Sequence, residues 1–162
     1  TPSDPGTYMN TNYDYNGSAW TVNNTMNTAR ALFGCTGTQT AALAAGGTPG
    51  SLANAETYDG TNWTAITSLP AGRRMMAASG PQTQALVFGG TGASPYLTSS
   101  VLWDGSSWAT DASMATGREF GQGSPASPGT AALSAGGYVN PGLSNATEEY
   151  NNVAAVKTIT TS

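Results

Sequence analysis

The residues of this chain that could do chemistry are few, and their types narrow the choice at once. Histidine is absent, which removes the commonest general base and the commonest metal ligand together. Hydrolytic triads and His-bound metals are excluded. Among the acids, Asp14, Asp59 and Asp104 are expected at the tips between third and fourth strands, a position that could suggest calcium. Yet a calcium ion wants roughly six to eight oxygens, whereas one Asp per turn is what an Asx-turn uses. Glu148, Glu149 and Asp111 have no acid partner at a fixed spacing of the kind a glycosidase needs. Cys35, in "ALFGCTG", is the single cysteine; it cannot form an intrachain disulfide and reads as a small core residue. No metal or other cofactor is expected. Binding remains. The irregular stretches "TPGSLANA", "TGASPYLTSS" and "YVNPGLSNAT" carry Tyr96, Tyr138 and Asn140, groups able to stack on and hydrogen-bond a sugar. The alternative is that these three merely pack their own loops.

What positions them is an internal repeat. Tyr15, Tyr58 and Trp103 each precede a tryptophan by five residues, and those tryptophans, Trp20, Trp63 and Trp108, each precede an arginine by ten: Arg30, Arg73 and Arg118. From the arginines a Gly-Gly pair follows after 16, 16 and 18 positions, at Gly46-Gly47, Gly89-Gly90 and Gly136-Gly137. The pairs close similar apolar runs, "TAALAAGG", "QALVFGG" and "TAALSAGG". Each period reads as four short strands: after the arginine, into Gly-Gly, into the tyrosine, and through the tryptophan. Lengths of four to seven residues bounded by Gly, Pro, Asn and Ser suit strands, and no segment keeps a helical period. Asn16-Gly17, Asp59-Gly60 and Asp104-Gly105 are dipeptides that suit a type I′ hairpin turn. The chain is therefore expected to be all-β, built of four-stranded antiparallel blades.

The order of landmarks, apolar strand, Gly-Gly, variable loop, Tyr-Asp, turn, Trp, Arg, resembles the kelch repeat of β-propellers over nearly the whole chain. The wording "GTQTAALAAGG", "TEEY" and "NGSAW" is similar to the kelch-like repeats of marine bacteriophage virion proteins. The copper radical oxidases of the kelch family need His ligands, which are absent here. The physical roles stand without the family. Glycines ending the second strand let blades approach closely, Tyr and Trp wedge between blades, and the repeated Arg stacks on an aromatic or bonds loop carbonyls.

One propeller segment, 1–162, divides into a half blade (8–22), two blades (30–66 and 73–110) and a divergent last blade (118–161), about three and a half in all. Tyr150 of the last unit is followed by "NNVAAVKTITTS" in place of a turn and a Trp, an expected closing strand. Propellers close with about four to eight blades, so either residues precede Thr1 or copies assemble into an oligomer. A net charge of -4 with five Lys and Arg leaves no basic patch for nucleic acid. No apolar run reads as a membrane span or a signal peptide. The resemblance implies a non-enzymatic structural and adhesive module of a virion, extracellular, in a tail fibre or appendage among other subunits, with loops able to bind host-surface glycans. An extracellular bacterial adhesin or filament subunit, and a non-catalytic fragment of a carbohydrate-active enzyme, are the alternatives.

Overall fold

The computed structural model describes residues 7–124, 130–153 and 156–161. Its elements are all strands. β1 (Asn12–Tyr15) and β2 (Trp20–Asn23) form a hairpin; β3 (Gly34–Thr38), β4 (Ala41–Ala45), β5 (Ala55–Tyr58) and β6 (Trp63–Ile66) form one meander. β7 (Ala77–Ser79), β8 (Leu86–Phe88), β9 (Ser100–Trp103) and β10 (Trp108–Asp111) form a second. In the last unit β11 (Ala131–Ala135), β14 (Thr147–Val153) and β15 (Val156–Thr161) make a three-stranded sheet, with β12 (Tyr138–Val139) and β13 (Gly142–Leu143) as a small extra hairpin in its loop. The two meanders are the expected four-stranded antiparallel blades, here blades 1 and 2. The last sheet is blade 3, and β1–β2 is the half blade.

Blade 3 departs from expectation at its first strand. "EFGQGSP" contributes only isolated bridges, Glu119 to Tyr138 and Gln122 to Ala135, and residues 125–129 lie outside the described residues. The closing strand does form: β15 pairs antiparallel along β14, from Glu148 opposite Thr161 to Val153 opposite Val156.

Alternation along the short strands gives each blade two apolar faces, and the core lies between blades. Leu43, Ala45 and Ala55 of blade 1 meet Ala78, Ala85, Val87, Val101 and Trp103 of blade 2. Leu86 and Phe88 of blade 2 meet Ala132 and Tyr150 of blade 3, with Met114 between. Tyr58, Trp103 and Tyr150 are buried to 2%, 4% and 5% exposure, each removing about 150–250 Å² of ring from water. These are the expected wedges. Tyr15 and Trp20 are not, at 45% and 69% exposed, because among the described residues no sheet packs on the outer side of the half blade to receive them. Cys35 is also a correction: it is exposed, because strand alternation turns it toward the side of blade 1 where, among the described residues, β1 and β2 have no inner strands beside them.

Gly-Gly behaves as expected. All six of these glycines have positive φ, and a Cβ on Gly46 would strike the Arg73 carbonyl oxygen of the next blade. The hairpin turns differ from type I′. Four residues separate Tyr58 from Trp63, with positive φ at Gly60 and its counterparts Gly17 and Gly105 but not at the residue before. That residue instead uses its side chain: Asp59 Oδ1 accepts the Thr61 and Asn62 N–H at 2.8 and 2.7 Å. Asp104 repeats this with Ser106 and Ser107, each at 2.8 Å. In the first unit Asn16, not Asp14, holds the position. Asp14 lies within β1 and accepts from Asn23 at 2.5 Å.

Candidate functional site: the loop face

The repeated arginines are buried to 2–3% exposure, and they bind carbonyls rather than aromatics. Arg30 Nη1 donates to Gly46 O at 2.9 Å and Asn54 O at 2.8 Å; Arg118 Nη1 donates to Gly136 O and Ala146 O at 2.9 and 3.0 Å. Each also makes an ion pair the sequence reading missed, Arg30–Glu56 and Arg118–Glu148, both at 2.6 Å. The carboxylates collect backbone donors as well: Glu56 from Asn27 and Thr28 at 2.7 and 3.0 Å, Glu148 from Ala115 and Thr116 at 2.7 and 3.2 Å. Blade 2 keeps the carbonyl contacts but omits the carboxylate and its donors. Val101 stands where the acid would be and Pro70, which has no N–H, where Asn27 and Ala115 donate. Arg73 there bonds Ser99 O at 2.9 Å and Ser99 Oγ at 3.1 Å.

A second exchange follows the same logic. Tyr58 receives Asn23 Nδ2 at 2.6 Å and Tyr150 donates to Asp111 Oδ2 at 2.7 Å, in each case from the outer strand of the preceding unit. In blade 2 the ring is Trp103, which has no hydroxyl, and the facing position is apolar Ile66, packed on the same cluster. Glu148 and Asp111 are thus engaged in contacts between units. Among the described residues no group of three or more His, Cys, Asp or Glu is placed to hold a metal.

These contacts set a pH range. Burial alone would raise the Glu56 carboxyl, but the Asn27 N–H and the Arg30 guanidinium outweigh it and hold the carboxyl below its ordinary 4.5. A folded value below the unfolded one gives stability that is full above that ordinary value and lost as pH falls through the lowered one. Tyr58 and Tyr150 are pushed above 10.0, first by burial and then by Asp14 and Asp111 respectively. Stability from them is present below the unfolded value and lost as pH rises past it. Urea midpoints measured across pH are expected to be flat from about pH 5 to 9 and to fall on both sides. A midpoint still rising below pH 4 contradicts this.

The end of the blades that carries the repeated arginines also carries the variable loops. The Arg73 N–H bonds Leu52 O, and Arg118's carbonyl accepts from Gly90 N–H, so the second-to-third-strand loops and the inter-blade connections share one face. Directly after each repeated arginine the side chain changes: Ala31, Arg74, Glu119. Next come Leu32, Met75 and Phe120, all at positive φ between 54° and 57°. Bulky residues rarely sit there, and each such residue costs of order 1–3 kcal/mol unless its surroundings enforce it. A backbone chain enforces it: Met75 N–H bonds Leu32 O and Phe120 N–H bonds Met75 O, both at 2.8 Å.

Tyr96 and Tyr138 come together on this face from different blades, ring centroids 5.8 Å apart and planes tilted by 36°. Glu119 joins them. Its backbone exchanges two hydrogen bonds with Tyr138, at 3.0 and 2.8 Å, and its carboxylate accepts from the Thr91 hydroxyl. Partial burial, then Tyr138 and Glu119, hold the Tyr96 phenol above 10.0, so it stays a neutral donor. Phe120, next in sequence to Glu119, is 50% exposed, and Arg74 is anchored by Gly50 O at 2.8 Å. Asn140 is exposed on the small hairpin. Chemically the arrangement can stack apolar sugar faces and accept or donate to hydroxyls. Glu119, Thr91, Arg74 and Phe120 were missed from sequence; the available signal was a changing residue immediately after an unchanging Arg.

No family model and no curated protein matches this chain. Among solved structures, that of YjhT is similar at 17% identity with a TM-score of 0.71, covering 87% of this chain and 48% of that one. The chain therefore spans about half the length of that structure, and the likeness establishes an all-β, blade-like fold.

Proposed function

We propose that this chain is a non-enzymatic, adhesive propeller segment that binds surface glycans through its loop face, serving in an extracellular appendage of the phage-virion kind its repeat wording resembles. The observation that carries the reading is the pair Tyr96 and Tyr138, brought from separate blades to 5.8 Å and flanked by Glu119. The backbone beneath repeats, while the side chains above it do not. That is how a rigid scaffold presents a specific surface. Single contacts to sugar rings are weak, so useful adhesion comes from copies displayed together, where avidity exceeds single-site affinity by about 10²–10⁴-fold.

A glycan array probed with multimerised protein tests this. Binding to at least one glycan class is expected, lost at least ~10-fold in the Tyr96→Ala/Tyr138→Ala variant while its thermal midpoint stays close to that of the parent. Binding that survives the double substitution rejects the loop face, and turnover of any bound carbohydrate rejects the non-enzymatic reading.

A further inference from the structure

One of the three repeated arginines carries a charge that no carboxylate answers. Arg30 and Arg118 meet Glu56 and Glu148 at 2.6 Å, whereas Arg73, 3% exposed, finds Val101 at the acid's position. Among the described residues Arg73 pairs with no acid. A guanidinium does not shed its proton, and a charge taken out of water is costly unless a countercharge meets it. Ser99 does not supply one. Its carbonyl and hydroxyl accept from Nη1 and Nη2 at 2.9 and 3.1 Å, and both oxygens are neutral. The bond from Arg73 Nη1 to Gly89 O is 3.5 Å long, where Arg30 and Arg118 hold the equivalent carbonyls at 2.9 Å.

Donors around that position are in place. Arg73 Nε is buried with no partner, and Nη2 uses only one of its N–H groups. Arg118 Nε is unpartnered too, but there Glu148 meets the charge. The Ala71 N–H is the counterpart of the Thr28 and Thr116 N–H groups that bind the carboxylates of blades 1 and 3. Among the described residues it has no partner. Val101 ends at its γ carbons, short of the place where the Glu56 and Glu148 carboxyl groups lie. Pro70 and Ala71 are exposed, so a solute can approach from solvent. Burial lowers the Arg73 guanidinium from its ordinary value, the direction an unanswered cation takes.

We propose that blade 2 binds a small monovalent anion between Arg73 and Ala71, in the place where blades 1 and 3 build in a carboxylate. The ion accepts from the guanidinium and from the Ala71 N–H, and one negative charge balances one buried positive charge. Chloride and formate meet that description, since each is an acceptor no larger than the carboxyl group it replaces. Sulfate brings a second charge that a single arginine does not match. Water would bond the same donors and leave the charge unanswered. Because folding assembles the site, the ion binds the folded chain in preference to the unfolded one and stabilises it by mass action. The inference does not rest on glycan binding at the loop face.

Urea midpoints of the whole chain, measured while chloride or formate replaces gluconate at constant ionic strength, test this with screening unchanged. The folded-to-unfolded ratio is expected to rise roughly tenfold once the anion reaches about ten times its dissociation constant. A response to both anions marks a carboxylate place, and a response to chloride alone restricts the site to halide; either supports the proposal. Arg73→Met is expected to abolish the response. Pro70→Asn with Val101→Glu, which rebuilds the blade 1 set, is expected to exceed the parent's midpoint in gluconate and to ignore chloride. Should that double variant not fold, excess chlorine NMR relaxation in the folded parent, absent from Arg73→Met, decides in its place. The proposal is overturned by a parent midpoint that stays fixed up to about 0.5 M chloride and formate. A response undiminished in Arg73→Met or in the folded double variant, or no excess relaxation in the parent, overturns it as well.

Discussion

Arg30→Met is expected to lower stability by about 3–5 kcal/mol, the usual loss when one partner of a buried ion pair is removed, while Arg73→Met costs no more than about 1–2 kcal/mol. The two arginines occupy the same repeat position and are equally buried, at 3% exposure. They differ in what they leave behind. Without Arg30 the Glu56 carboxylate, 1% exposed, keeps its donors from Asn27 and Thr28 but loses its countercharge in a place water cannot reach. Without Arg73 no carboxylate is stranded, because Val101 fills that position; the Gly89 and Ser99 carbonyls lose a donor, and an uncompensated buried cation is removed at the same time. Denaturant titration at neutral pH checks both, and equal losses would show that the ion pair is not what distinguishes the blades.

Gly46→Ala against Gly50→Ala separates backbone strain from crowding. Their φ values are nearly equal, +66° and +69°, so an alanine at either pays a similar left-handed penalty of about 1–2 kcal/mol. Around Gly50 nothing lies within 4 Å of the new Cβ. At Gly46 the same atom collides with the Arg73 carbonyl oxygen and the Met76 methyl of the next blade, and overpacking adds roughly 1–3 kcal/mol. Thermal unfolding should therefore rank Gly46→Ala well below Gly50→Ala. Equal midpoints would mean that the blades do not approach through this pair.

Much of this architecture was legible in the residues because it rests on local rules. Gly-Gly needed positive φ, the Asp-Gly and Asn-Gly pairs needed a turn, and the wide spacing between repeats needed a unit larger than a hairpin. Legibility ended where the answer depends on a neighbour that is distant in sequence. Glu148 looked like an unassigned acid and Glu56 drew no reading because their partners are 30 and 26 residues away. Cys35 looked like core because its segment is apolar, yet exposure there is decided by whether the preceding unit has inner strands. Tyr96 and Tyr138 were picked out as exposed aromatics on variable loops; that they meet, and that Glu119 joins them, depends on the rotation between blades 2 and 3, which no local pattern encodes. The type I′ expectation failed for a simpler reason. Four-residue loops let Asp59 and Asp104 satisfy two N–H groups with a side chain, and only the glycine then needs a left-handed backbone.

The account centres on blades locked by repeated residues, preceded by a hairpin in which β1 pairs only with β2 among the described residues. Hydrogen exchange of single amides in the free protein tests it most directly. The N–H groups of Glu56, Tyr58, Val101 and Trp103 are predicted to exchange at least ~100-fold more slowly than those of Tyr13 and Tyr15, which hold the same places on β1. Comparable rates at the two sets of positions would contradict it.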